Sequence, residues 1–215
     1  MIEVHSINKS EALRYLGKGK NVQPTEQILG LVDICEQELL SAITPKFVYK
    51  KIDLPDNNIM SGKDIEAHLQ GCECAILMCA TLGNNVDKLI RLNSVNAIDK
   101  ALIIDALASA CIEQVCDKVE EIIKTEYSEY NLTWRFSCGY GDYPLEMQSV
   151  FINLLDAPRK IGLCTNQSYT LEPTKSVTAI IGLSKNSIPK HKHSCLSCNM
   201  ADTCKYRKGG LHCGF

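Results

Sequence analysis

The stretch "NAIDKALIIDALASACIEQVCDKVEEIIK", residues 96–124, narrows the possible folds more than any other part of the chain. Ile104, Ala108, Cys111, Val115, Val119 and Ile122 recur at three- and four-residue spacing and make one apolar stripe. Asp105, Ser109, Glu113 and Asp117, each four apart, share a different face. That period predicts a single long amphipathic helix whose stripe must be buried against other elements.

The other periodic segments are shorter. "QPTEQILGLVDICEQELLSAI" places Ile28, Leu31, Val32, Cys35, Leu39 and Ala42 on one helical face, with Pro24 and Thr25 as start signals and Pro45 beyond its end. "KFVYKKIDL" alternates and is rich in branched and aromatic residues, which predicts a strand. "CECAILMCATLG" is nearly continuously apolar and closed by glycine, as a buried strand would be. "LTWRFSCGYGDYP" reads as a strand running into a loop, and "LEMQSVFINLL" returns to helical spacing. "KIGLC", "SYTL" and "SVTAIIGL" read as short strands separated by turn residues. Long helices followed by short strands, without strict alternation, predict an α+β fold.

A chain of 215 residues can bury one substantial core, or one core and a small appendage. Its 23 basic and 25 acidic residues give a net charge of −2, with no electrostatic footprint for nucleic acid. The start, "MIEVHSINKS", has neither the basic nor the apolar region of a signal peptide, and no apolar run approaches the roughly 18 residues of a membrane span. The expectation is a cytoplasmic protein that engages no membrane. Twelve cysteines then read as reduced thiols or metal ligands. Cys35, Cys72, Cys74, Cys79, Cys111, Cys116 and Cys164 lie in apolar surroundings and read as small buried hydrophobes.

Cys195, Cys198, Cys204 and Cys213 crowd the last 21 residues in a C-x2-C-x5-C-x8-C pattern. The segment 187–215 is too polar to bury a core, so the expected division is a domain over 1–186 and a cysteine-rich, metal- or iron–sulfur-binding tail over 187–215. Four neighbouring thiolates suit a [4Fe-4S] cluster or tetrahedral zinc. A single C-x2-C knuckle and uneven spacing favour the cluster, with Lys192, Lys205, Arg207 and Lys208 near enough in sequence to offset its negative charge. Free or redox-active thiols are the third reading.

"RFSCGYGDYPLEMQ", residues 135–148, sets glycine on both sides of Tyr140, which allows a tight loop that holds the tyrosine out beside exposed amides. By residue type alone, Arg135 could instead pair with Asp142 across a turn, Tyr140 could be a core aromatic, and Glu113 could be a solvated helix position. With "ALASACIEQVCDKVEE" before it and "LEPTKSVTAIIGL" after it, this loop resembles the activation (reactivation) domain of cobalamin-dependent methionine synthase in a short stand-alone form. The resemblance covers residues 1 to about 185 and leaves the cysteine tail outside.

The resemblance implies a mixed, mainly antiparallel sheet packed with long helices, and binding of S-adenosylmethionine. Arg135 would grip the methionyl carboxylate, and Ser137 and Gly139 would supply backbone groups. Tyr140, the residue cast as catalytic, would lie beside both ligand and corrin ring. Glu113 would meet the ligand's amino end. The implied activity is rescue of stalled cob(II)alamin. One low-potential electron regenerates cob(I)alamin, which takes the sulfonium methyl, and the chain's task is to position the two. Cobalamin would arrive on a partner, since the chain has no D-x-H-x-x-G loop. The implied partners are a corrinoid-binding methionine synthase or similar methyltransferase chain and an electron donor of flavodoxin or ferredoxin type. The alternative is an iron–sulfur electron-transfer or regulatory binding module for a corrinoid protein. Cys138 stands where the family has proline, and a late tyrosine of the longer members has no counterpart.

Overall fold

Strand β2 (Cys74–Thr81) is buried at every position, because it has a strand on each side and a packed layer on each face. The computed structural model describes residues 2–16, 24–56 and 59–188. β1 (Lys46–Asp53) and β6 (Ser176–Ser184) pair with β2 antiparallel, so that Ile76 lies between Lys51 and Ile181. β3 (Asn131–Leu132) pairs with the far side of β6, giving the order β1-β2-β6-β3. β4 (Cys164–Thr165) and β5 (Leu171–Glu172) form a separate antiparallel ribbon. The fold is α+β with an antiparallel sheet and long helices, as the sequence predicts.

Successive strand residues face opposite sides. Cys74, Ile76, Met78 and Ala80 enter one core, while Ala75, Leu77 and Cys79 enter the other. This explains the unbroken apolar run: a strand covered on both faces cannot alternate with polar residues. The first core is closed by α1 (Lys9–Tyr15), α2 (Glu26–Ala42), α4 (Asn84–Asn96) and α5 (Ile98–Glu126). The second is closed by α3 (Lys63–His68), α6 (Met147–Leu155) and α7 (Ala157–Ile161).

α5 is the long helix of the sequence pattern. Ile104, Ala108, Cys111, Val115 and Val119 are fully buried, each large aliphatic contributing about 1.5–3 kcal/mol by leaving water. The stripe ends on Ile123, not Ile122. Ile123 is fully buried whereas Ile122 is 39% exposed in a groove with Ile2 and Lys118, because the buried line continues by steps of four residues. α2 follows its predicted limits: the Thr25 side chain accepts the Ile28 N–H at its start, and it ends at Ala42 before Pro45.

Other expectations are corrected. Cys164 is exposed at the start of the ribbon and Cys72 is half-buried, so neither is a buried hydrophobe. "LTWRFSC" contributes only Leu132 to the two-residue β3, and one later bridge between Phe136 and Ile180. The ladder breaks because Thr133 Oγ1, a side chain, accepts the Gly182 N–H at 2.8 Å. "SYTL" contributes only Leu171 to β5; Asn166 Oδ1 accepts the N–H groups of Ser168 and Thr170 and curls the preceding residues into a turn. The tail cysteines Cys195, Cys198, Cys204 and Cys213 lie outside the described residues, so the expected metal-binding tail does as well.

Candidate functional site

The polar stripe of α5 receives two cations from different parts of the chain. Lys175, just before β6, reaches Asp105 Oδ1 at 2.8 Å and Ser109 Oγ at 2.9 Å. Arg135, on the strap that leaves β3, reaches Glu113 Oε2 at 3.1 Å, Asp117 Oδ1 at 2.9 Å and Glu120 Oε1 at 2.8 Å. Positions 113, 117 and 120 are one turn apart on the helix, which is why one guanidinium can touch all three.

The charges do not balance: three carboxylates surround one guanidinium. The Arg135 side chain is only 18% exposed, whereas Glu113 and Asp117 are 46% and 64% exposed, so the excess negative charge faces water. Burial alone would lower the Arg135 pKa, but the carboxylates, Glu120 foremost, drive it above its ordinary value. Burial raises the Glu120 pKa, and the Arg135 charge only partly opposes that rise.

The strap then turns through the glycine loop. Gly139 and Gly141 take φ of +86° and +56°, a region closed to most side chains. Gly139 N–H donates to Tyr143 O at 2.9 Å, Tyr143 N–H to Tyr140 O at 3.0 Å, and Tyr140 N–H to Ser137 O at 3.3 Å. The two tyrosines separate in consequence. Tyr143 is 1% exposed against Phe136 and Phe151 and anchors the loop. Tyr140 is 57% exposed, with its ring 6.4 Å from that of Phe136. The loop is fastened from below: Lys63 and Asp64 N–H groups donate to the Asp142 carboxylate at 2.8 and 3.0 Å.

The structure therefore brings Glu113 and Arg135 into contact and sets Ser137, Gly139 and Tyr140 along the same strap. The readings of Tyr140 as a core aromatic and of Arg135 as a partner of Asp142 are replaced, since Tyr140 is exposed, Asp142 is engaged by α3 and Arg135 by α5; Glu113 is both half-exposed and paired with Arg135. Cys138 packs into the second core at 8% exposure, with its thiol pushed up to about 12 by burial, which removes it from chemistry at neutral pH. Sequence reasoning missed Glu120, although the 113–117–120 spacing signals it. It also missed the seat of α1 beside this helix face, where Asn8 N–H donates to Gln114 Oε1 at 2.9 Å. No local pattern links residues so far apart in the chain.

Among the described residues, no group of three ligating side chains is placed to hold a metal ion. No helix among them is long and apolar enough to cross a membrane.

No family model and no curated protein sequence matches this chain. Its fold does match a solved one: the crystal structure of the MetH reactivation domain bound to AdoHcy, with a TM-score of 0.58 at 14% sequence identity, over 94% of this chain and 74% of that one.

Proposed function

We propose that this chain binds S-adenosylmethionine above α5 and serves the reductive reactivation of a corrinoid-dependent methyltransferase of the methionine synthase type. The observation that carries this reading is the unequal cluster of Arg135 with Glu113, Asp117 and Glu120 beside the exposed Tyr140. S-adenosylmethionine carries one carboxylate, one ammonium and one sulfonium. A site with one guanidinium and an excess of carboxylate complements that set in both kind and sign. The shared fold with a reactivation domain solved with AdoHcy supports the same ligand class.

Glu113 makes the longest of the three contacts to Arg135, 3.1 Å, and is the partner we expect a ligand carboxylate to displace. Exchange would leave Arg135 in a charge-assisted pair with the ligand and free Glu113 for the ligand's ammonium. Asp117 and Glu120 would keep the guanidinium in place. Ser137 and Gly139 border the ligand with backbone groups, and Tyr140, catalytic in the sense that it touches the reacting partners, faces the arriving corrin. S-adenosylmethionine would supply the methyl group, and a cobalamin held by the partner, with an electron from a flavodoxin- or ferredoxin-type donor, would supply the methyl-accepting chemistry. The residues of this chain hold the ligand, orient it and exclude water; no proton transfer is asked of them.

The tail belongs to the same proposal. Residues 187–215 would be the metal-binding appendage, in which Cys195, Cys198, Cys204 and Cys213 would hold a [4Fe-4S] cluster able to supply one-electron chemistry, or alternatively zinc with a purely structural role. Iron, sulfide and zinc analysis of anaerobically purified protein separates the two.

Calorimetric titration of S-adenosylmethionine into the anaerobic protein, native beside Arg135→Ala, tests the binding site. Binding that the substitution abolishes supports the reading, and binding that Arg135→Ala leaves unchanged removes it.

A further inference from the structure

The C-terminal half of α5 carries a second surface beside the stripe that holds Arg135. Lys118 and Ile122, one turn apart, line a groove with Glu121 and Glu126 and with Ile2 and Glu3 from the start of the chain. Its floor is apolar, since Ile2 is buried and Ile122 is half-exposed. Its rim is acidic. Lys118 Nζ donates to the backbone oxygen of Glu3 at 2.5 Å, Glu126 accepts the Tyr49 hydroxyl, and the exposed Glu121 has no ion pair among the described residues. The Glu3 carboxylate faces the exposed His5, with Nε2 3.4 Å away. Glu126 ends α5 and Glu121 lies about one turn earlier, where the helix dipole adds negative potential. Lys124, the basic residue of the last turn, stands on the stripe of Asp117 and Glu120 instead.

The chain leaves the described residues at this same end of α5. Asn131 Nδ2 donates to Asn186 O at 3.1 Å, and Lys185 Nζ lies 5.9 Å from the Tyr130 ring centroid. Tyr130 N–H donates to Tyr127 O, and Tyr127 N–H to Ile123 O, which ties the exit back to the helix. Residues 189–215 follow, with Lys190, Lys192, Lys205, Arg207 and Lys208 against Asp202 alone. That is a charge of +4 within a chain of net −2, so the preceding 188 residues carry −6.

We propose that the "KYRK" stretch of the chain's own tail, residues 205–208, docks in this groove. Tyr206 lies against Ile2 and Ile122, and its cationic neighbours meet Glu3, Glu121 and Glu126. Reach is no obstacle: Tyr206 is 18 positions beyond Ile188, up to about 60 Å of chain, whereas positions 118 to 126 span about 12 Å of helix. Charge then fastens the tail to the flank of α5 next to the one that carries the Arg135 cluster. The inference does not rest on the reading of the chain as a binder of S-adenosylmethionine, nor on what the tail cysteines hold.

The test is limited trypsin digestion of the full chain, native beside Glu121→Lys, read by peptide mass spectrometry. Cleavage after Lys205, Arg207 and Lys208 is compared with cleavage after Lys190 and Lys192, which precede the docked stretch and serve as the reference. The native chain is expected to be cut more slowly at 205–208 than at the reference. Glu121→Lys should speed cleavage at 205–208 about three- to tenfold relative to the reference. Raising salt on the native chain from about 0.1 M to about 1 M, which shortens the Debye length from about 10 Å to about 3 Å, should do the same without any substitution. Far-UV circular dichroism with a thermal melt checks that Glu121→Lys folds, and the salt series decides the matter if it does not.

Cleavage at 205–208 as fast as at the reference in the native chain overturns the docking and leaves the groove to a basic segment of another protein. Slow cleavage that neither Glu121→Lys nor salt relieves assigns the protection to the tail itself, and likewise overturns it. Protection that is lost when the native chain is diluted gives the groove to the tail of a second copy, which overturns the contact within one chain.

Discussion

Asp64 and Asp142 hold each other's backbone: Asp64 N–H donates to Asp142 Oδ1 and Asp142 N–H donates to Asp64 Oδ2, both at 3.0 Å. This reciprocal pair fastens the glycine loop to the start of α3. It also explains two glycines. A Cβ on Gly141 would overlap the Asp64 carboxylate, and one on Gly62 would come within 2.6 Å of Asp142 Oδ1. Gly141→Ala should cost about 2 kcal/mol, from overlap and from its positive φ together, measured by urea unfolding. Full native stability in that variant would mean that the loop does not need this fastening.

The same pair gives a pH dependence with a definite sign. The N–H groups of Asp64 and then Lys63 hold the Asp142 carboxyl below its ordinary value of 3.8. A carboxylate depressed in the folded state stabilises above its unfolded pKa and loses that contribution as pH falls through the lower folded value. Acid unfolding below about pH 4 should therefore be shallower in Asp142→Asn than in the native chain, read as the slope of stability against pH.

Removing Arg135 should leave three carboxylates facing one another. We expect Arg135→Ala to lose about 1–2 kcal/mol at neutral pH, a partly exposed cluster being worth less than a fully buried pair. Glu120, already raised by burial, would rise further without the guanidinium. A raised carboxyl destabilises in its charged form, so the deficit should shrink as pH falls through the Glu120 value. A deficit independent of pH would assign the loss to packing of the arginine stem instead.

Thiol reactivity should follow burial. Cys164 is exposed, while burial pushes Cys111 and Cys138 up to about 12 and Cys79 and Cys116 higher still. Brief iodoacetamide treatment at pH 8, read by peptide mapping, should label Cys164 first of these five and spare the other four until the protein unfolds. Early labelling of Cys138 would show that the loop opens in solution.

Gly182, on β6, lies against the turn after α3. A Cβ there would come within 2.6 Å of Cys72 Sγ and 3.0 Å of Leu69 and Thr133 side-chain atoms. Gly182→Ala should destabilise by about 1–3 kcal/mol, and Cys72→Ala in the same chain should recover part of that loss. Additive effects in the double variant would show that the two positions do not share the space.

The long helix, the buried strand and the glycine loop were legible in the sequence because each rests on local periodicity or local turn chemistry. α5 follows from a stripe of spacing three and four, β2 from an unbroken apolar run, and the loop from the glycines around Tyr140. The pairing of β6 between β2 and β3 was not legible, since partners separated by a hundred residues leave no periodic trace. The same limit hid the docking of α1 on α5, where Asn8 meets Gln114 across 106 positions of sequence. Arg135 shows the division within one residue. Its presence on the strap is written in the sequence, but its three acidic partners were chosen by tertiary packing, which laid the strap across α5 at the height where positions 113, 117 and 120 face it. Periodicity fixes which face of an element is polar, and only the docking of elements decides which distant charge that face will meet.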